Sequence, residues 1–289
     1  MKFALFLGCN IPVRVQQYEL SARAVLDKLG VEVVDNQEFK CCGNPIRNTD
    51  SSTSVLMAAR NIALAEKQGL DMMVLCKCCF GSLKKAAHLM NQNPSIRDEV
   101  NRLLAKEGLQ YTGTSEVKHF LSILYHDIGV NVLKEKTTRP FKGIKIATHY
   151  GCHALRPSDV TGFDDPVAPV LFDELVSATG AQSIDWPLKL ECCGAPLLGV
   201  NDTLSMDLTE KKIIDGKQAG ADYLCVACPY CQMQFDTVQQ MMVSVRNLNH
   251  SLSSIVFPQL LGLAMGIEGN ALGISRHVLD ISKIESFLE

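Results

Sequence analysis

Twelve cysteines among 289 residues are the side chains of this sequence best able to act together chemically. Ten of them spell one figure twice: Cys9, Cys41-Cys42 and Cys76-x-x-Cys79, then Cys152, Cys192-Cys193 and Cys228-x-x-Cys231. Matching positions lie 143, 151 and 152 residues apart. The surroundings repeat too: Gly-Cys9 matches Gly-Cys152, and Cys-Cys-Gly-Asn-Pro45 matches Cys-Cys-Gly-Ala-Pro196. Such self-similarity marks an internal duplication. A structural zinc takes four ligands, usually as two close pairs, whereas each half here offers five with one pair adjacent in sequence. Adjacent side chains diverge on an extended backbone, so they reach different irons of a cluster more readily than one small ion. Thiolates hold iron–sulfur clusters in this way, although the common C-x2-C-x2-C run is absent. A zinc-stapled binding module remains the alternative. A CxxC dithiol enzyme would leave three cysteines per half without a role.

The elements that must position these cysteines follow from apolar periodicity. Residues 3–7 form an apolar run suited to a buried parallel strand. Tyr18, Ala22, Val25 and Leu29 recur at helical spacing, with Gly30 at the stop. Residues 31–34 predict a second strand leading to Cys41-Cys42, and Asp50 caps a helix ended by Gly69. Residues 72–75 predict a third strand, with a helix from about Gly81. The second half repeats the order: strands at 144–150, 183–185 and 223–227, a helix through Leu171 and Leu175 stopped by Gly180, and another from Asn201 or Asp202 to about Gly220. Alternating strands and helices imply parallel sheets with right-handed crossovers. The expected fold is α/β: two tandem Rossmann-like lobes, 1–139 and 140–289, joined at the polar stretch 134–140. Each cysteine group then falls beyond the C-terminal end of a strand, the edge where ligands collect. Helix N-termini aimed at that edge favour an anion such as a thiolate-ligated cluster.

Composition narrows the class. A net charge of -3 leaves no electrostatic footprint for nucleic acid, and no apolar stretch is long enough for a transmembrane helix. The apolar run at 3–7 is too short for a secretory core, so a cytoplasmic, reducing compartment is expected. No G-x-G-x-x-G or G-x-x-x-x-G-K-[ST] occurs, so no flavin, nicotinamide or nucleotide site is expected and electrons must come from partners. Cys78 and Cys225 fall outside the figure and read as small packing residues. Gly43 and Gly194 either let backbone approach a cluster or serve loop geometry. Trp186 and the methionines 233, 241 and 242 read as core or interface.

The arrangement C-x(31–39)-CC-x(33–34)-C-x-x-C, with Gly and Pro after the pair, resembles the cysteine-rich CCG motif. Two copies over the whole chain, including Gln259-Leu-Leu-Gly-Leu-Ala264, resemble the B subunit of heterodisulfide reductase. The resemblance implies a noncubane [4Fe-4S] cluster on Cys9, Cys41, Cys42, Cys76 and Cys79, and a second on Cys152, Cys192, Cys193, Cys228 and Cys231. It implies reduction, or formation, of a small disulfide, with a ferredoxin-like C subunit and a flavin-containing A subunit as partners. Related subunits serve complexes that oxidise sulfur compounds, so an electron-transfer role without catalysis is the alternative. Gly43-Asn44-Pro45 departs from the Ala-Pro-Gly-type loop expected of methanogen members, which puts a methanogenic substrate in doubt. His153, beside Cys152, is the candidate catalytic proton donor. His149 stands behind it as a second candidate or as a core residue.

Overall fold

The computed structural model describes residues 1–246 and 250–289. The first four strands are β1 (Lys2–Phe6), β2 (Glu32–Val34), β3 (Asp71–Val74) and β4 (Val117–His119). They form a parallel sheet in the order β2-β1-β3-β4. The next four are β5 (Lys145–His149), β6 (Gln182–Ile184), β7 (Tyr223–Val226) and β8 (Ser254–Val256). They form a second parallel sheet in the order β6-β5-β7-β8. The chain is therefore α/β with two similar lobes. β1 and β5 share one burial pattern, an exposed lysine followed by four buried residues. That pattern is what a strand covered on both faces requires.

The helices set the strand ends. Asp50 caps Ser51–Lys67 by accepting from Thr53 N, and Asn201 caps Asp202–Gln218 by accepting from Leu204 N. Each satisfies an N–H that a helix start leaves without a partner. Three elements differ from expectation. The fourth strands, β4 and β8, carry only three residues each, too few to print a period on the sequence. The helix expected from Gly81 instead spans Lys77–Gln92, because Cys76 stays extended and serves as its N-cap. Gly81 is thus a mid-helix residue. A Cβ there would come within 2.7 Å of the His153 carbonyl oxygen, so glycine permits a close approach of the two lobes.

The lobes also exchange helices. The segment after β8, Phe257–Ala264, packs on Gln16–Lys28 of the first lobe, where Lys28 Nζ donates to the Met265 carbonyl at 2.5 Å. The segment after β4 packs on Leu171–Ser177 of the second lobe, where Tyr125 donates to Glu174 at 3.0 Å. These reciprocal contacts hold the two cysteine-bearing edges face to face.

Candidate metal centre

Each cysteine figure is assembled from three strand ends. Cys9 follows β1, Cys41-Cys42 follow β2, and Cys76 caps the helix after β3 with Cys79 one turn on. The same holds for Cys152 after β5, Cys192-Cys193 after β6, and Cys228 with Cys231 after β7. The tight turn at the first edge requires glycine. Gly8 has φ +66°, and a Cβ there would lie 2.9 Å from Cys79 Sγ. Gly43 and Gly194 also have positive φ, +82° and +91°, and each presses on the backbone of the next helix at Ser54 or Ser205. Both serine hydroxyls donate to the glycine carbonyls at 3.0 Å. Asn61 donates to the Cys41 carbonyl at 3.2 Å, and Thr209 donates to the Cys193 carbonyl at 3.0 Å. The Cys-Cys-Gly loops are therefore pinned from the helices that follow them.

The thiols form two chains of neighbouring sulfurs with identical order. Cys9 meets Cys41, Cys41 meets Cys42, Cys42 meets Cys79 and Cys79 meets Cys76. In the second lobe Cys152, Cys192, Cys193, Cys231 and Cys228 follow one another in the same way. The chains join where Cys76 Sγ and Cys228 Sγ lie 3.9 Å apart. Hydrogen bonds from Cys42 and Cys9 hold Cys41 down at about 2, and those from Cys152 and Cys193 hold Cys192 there, while hydrogen bonding to Cys41 and to Cys192 pushes Cys42 and Cys193 up to about 12. Ten thiols this crowded cannot all ionise unless a cation compensates them. The five of the second set line one narrow cleft, together with Cys78 and Lys77 of the first lobe. This donor set fits a thiolate-bound polynuclear metal group in each lobe.

Other groups at the site carry no signal in the cysteine spacing. Cys78 lies with Cys76 and Cys228, their sulfurs within 4.8 Å of one another. It also faces His153, Sγ to Nδ1 at 3.0 Å. His153 Nε2 is 3.1 Å from Arg47 Nη1, which also donates to Asn44 Oδ1 at 3.0 Å. A guanidinium only donates, so Nε2 accepts and the neutral ring carries its proton on Nδ1, toward Cys78. Burial, followed by the charge of Arg47, holds the His153 pKa below its usual value. His153 thus faces a sulfur supplied by the first lobe as well as standing next to Cys152.

His149 is 1% exposed, and neither ring nitrogen has a hydrogen-bond partner. Its ring lies within 4.8 Å of the Cys193 and Cys231 sulfurs. Lys77 and Lys212 are the two buried lysines among the described residues. Lys77 donates to the Tyr150 carbonyl at 2.7 Å and lies 4.7 Å from the Phe172 ring centroid. Lys212 donates to the Leu188 carbonyl and lies 4.6 Å from the Trp186 ring centroid. Burial lowers both to about 8, against the opposing pull of Cys231 and Cys228 on Lys77 and of Cys193 and Cys231 on Lys212. Trp186 is therefore core, donating to the Thr148 carbonyl at 2.9 Å, and also one wall for a buried cation. The sequence signal for these groups is a comparison of the two halves: Lys77, Cys78, His149 and Lys212 match Pro229, Tyr230, Phe6 and Asn61. Cys225 lies inside β7, fully buried, as a packing residue.

The cysteine-rich domain family matches residues 3–84 and 146–236, one copy per lobe. A Methanosarcina mazei protein, named as the B subunit of a ferredoxin:CoB-CoM heterodisulfide reductase, is 36% identical over 283 residues, covering 96% of this chain and 94% of its own. The chain belongs to the heterodisulfide reductase B-subunit family. Another relative, from Wolinella succinogenes, is 31% identical over 98% of this chain and 99% of its own. It is named the membrane anchor subunit of an 8-methylmenaquinol:fumarate reductase. No helix among the described residues of the present B-family chain is long and apolar enough to cross a membrane. The fold also matches a crystal structure of a hypothetical protein from Helicobacter pylori, with TM-score 0.78 at 19% identity. The match covers 97% of this chain but only 52% of that one, so this chain spans about half its length.

Proposed function

We propose that the chain is the catalytic iron–sulfur subunit of an oxidoreductase complex, reducing or forming a disulfide between its two cysteine sets. The observation that carries this reading is the 3.9 Å approach of Cys76 and Cys228, which brings the two five-thiol sets together. A noncubane [4Fe-4S] cluster held at each set supplies single electrons and iron that coordinates thiolate sulfur. Splitting one S–S bond takes two electrons and two protons and yields two thiols. The residues of the chain address the proton side. His153 acts as a relay: its Nδ1–H, turned toward Cys78, passes to a product thiolate as Nε2 takes a proton from solvent in place of its hydrogen bond from Arg47. Beyond Arg47 and His153 opens a pocket also lined by Lys85 and Arg156, a route by which solvent can restore that proton. Electrons arrive from a ferredoxin-like C subunit and a flavin-containing A subunit. Relatives named as subunits of larger reductases support such partners, and a reducing cytoplasm suits a chain rich in metal-binding thiols.

A second reading, electron transfer without disulfide chemistry, is favoured by the Wolinella relative, whose name attaches it to fumarate reduction. Anaerobic protein should carry about eight irons and convert a mixed disulfide to thiols with a reduced viologen as donor. Full iron with no thiol formed would leave the electron-transfer reading. Zinc in place of iron would overturn both.

A further inference from the structure

The two cysteine sets match sulfur for sulfur, but their surroundings do not. At the last residue of β1 stands Phe6; at the last residue of β5 stands His149. Asn61 and Lys212 occupy matching positions on the helices behind the two Cys-Cys pairs. Between the paired cysteines, Lys77 sends its ammonium across to the Tyr150 carbonyl, while its counterpart Pro229 sends nothing back. His149 and Lys212 thus place an imidazole and a cation at the second set where the first has Phe6 and the uncharged Asn61, and the Lys77 ammonium, reaching the His149 and Tyr150 carbonyls, adds a further cation there. The His149 ring is buried, has no partner on either nitrogen, and lies within 4.8 Å of the Cys193 and Cys231 sulfurs.

Resting on the reading that each set holds an iron–sulfur cluster, we infer that the second site is the electron sink of the pair. His149 donates a hydrogen bond to a sulfur of that cluster, and Lys212 and Lys77 supply the compensating charge. The physical reason is that the potential of such a cluster rises with hydrogen bonds to its sulfurs and with positive charge nearby. Inside a protein those charges are poorly screened. The cluster of the second lobe then takes up the first electron, and that of the first lobe stays oxidised until a second arrives. No bond forms or breaks in this step; one electron passes from an external one-electron donor to one cluster. His149, Lys77 and Lys212 are positioning residues, acting through the cluster and not on substrate.

The test is a potentiometric titration of the anaerobic, iron-loaded full chain with viologen mediators, read by electron paramagnetic resonance. Wild type should give two resolved one-electron transitions. Cys193→Ala, which empties the second site, should delete the higher one and so assign it. His149→Phe and Lys212→Asn, which copy the first lobe, should each move the higher transition to more negative potential and leave the lower in place. His149→Gln, which keeps an N–H donor, should restore most of the wild-type value. Coincident transitions in fully loaded wild type would overturn the inference while leaving the disulfide reading intact, as would a shift of only the lower transition. Loss of iron from the second site in both His149→Phe and His149→Gln would make His149 a ligand and equally overturn it. A wild-type chain without iron would instead defeat the functional reading itself.

Discussion

At the scale of single residues, function turns on which side chains touch the sulfur chains and which only pack. His153 has its proton fixed on Nδ1 by Arg47, 3.0 Å from Cys78. His153→Ala should slow thiol release by roughly 10²–10⁴, the usual contribution of a positioned acid. Its iron content should match wild type, because each set already has five thiols. Steady-state turnover and iron analysis on the same preparation check this, and an unchanged rate in loaded protein would reduce His153 to a packing residue. Cys78 has no sulfur counterpart in the second lobe, where Tyr230 stands. Cys78→Ala should therefore keep full iron and lose rate through the freed His153. Loss of iron would instead make Cys78 a ligand. Cys225→Ala should cost about 1–2 kcal/mol of stability, as small cavities in a sheet core do, with iron unchanged. A denaturant midpoint identical to wild type would contradict its place in the core.

At the scale of elements, the strand ends and the glycine turns decide whether the cysteines meet. Gly43→Ala should lose iron from the first set alone. Its φ of +82° and its contact with Ser54 leave no room for a methyl group without shifting the Cys-Cys pair. Gly30→Ala is the control, since Gly30 has a similar φ of +68° but open space around it. It should cost about 1–2 kcal/mol of stability and leave iron in place; equal iron in both variants would remove the close-approach argument. Much of this was legible in sequence. The duplicated spacing, the three apolar strands per half and the Asp50 and Asn201 caps carry local signals that tertiary packing then obeys. The fourth strands were not legible, because three residues between irregular segments print no period. Nor was the helix start at Lys77, because a mid-helix Gly81 is explained only by the His153 carbonyl across the lobe boundary. The roles of Arg47, Lys77 and Lys212 were hidden for the same reason. Each is set by a neighbour remote in the chain, and a lone basic residue on a helix or strand gives no sign of facing a thiolate.

At the scale of the whole molecule, reciprocal packing of each lobe's late helix on the other lobe turns two equivalent edges toward each other. The chain thereby places Cys76 Sγ of one candidate centre 3.9 Å from Cys228 Sγ of the other. Each centre still draws its ligands locally, so Cys42→Ala and Cys193→Ala should each lower iron to about half. Loss of all iron from either single change would mean one shared centre across Cys76 and Cys228. The most direct measurement is an anaerobic crystal structure of the loaded chain soaked with a mixed disulfide. The expected result is one iron–sulfur cluster in each five-cysteine set, with the cleaved sulfurs lying between them beside Cys76, Cys228 and His153. A single metal ion bridging the sets, or a disulfide bound away from both sets, would contradict the proposed chemistry.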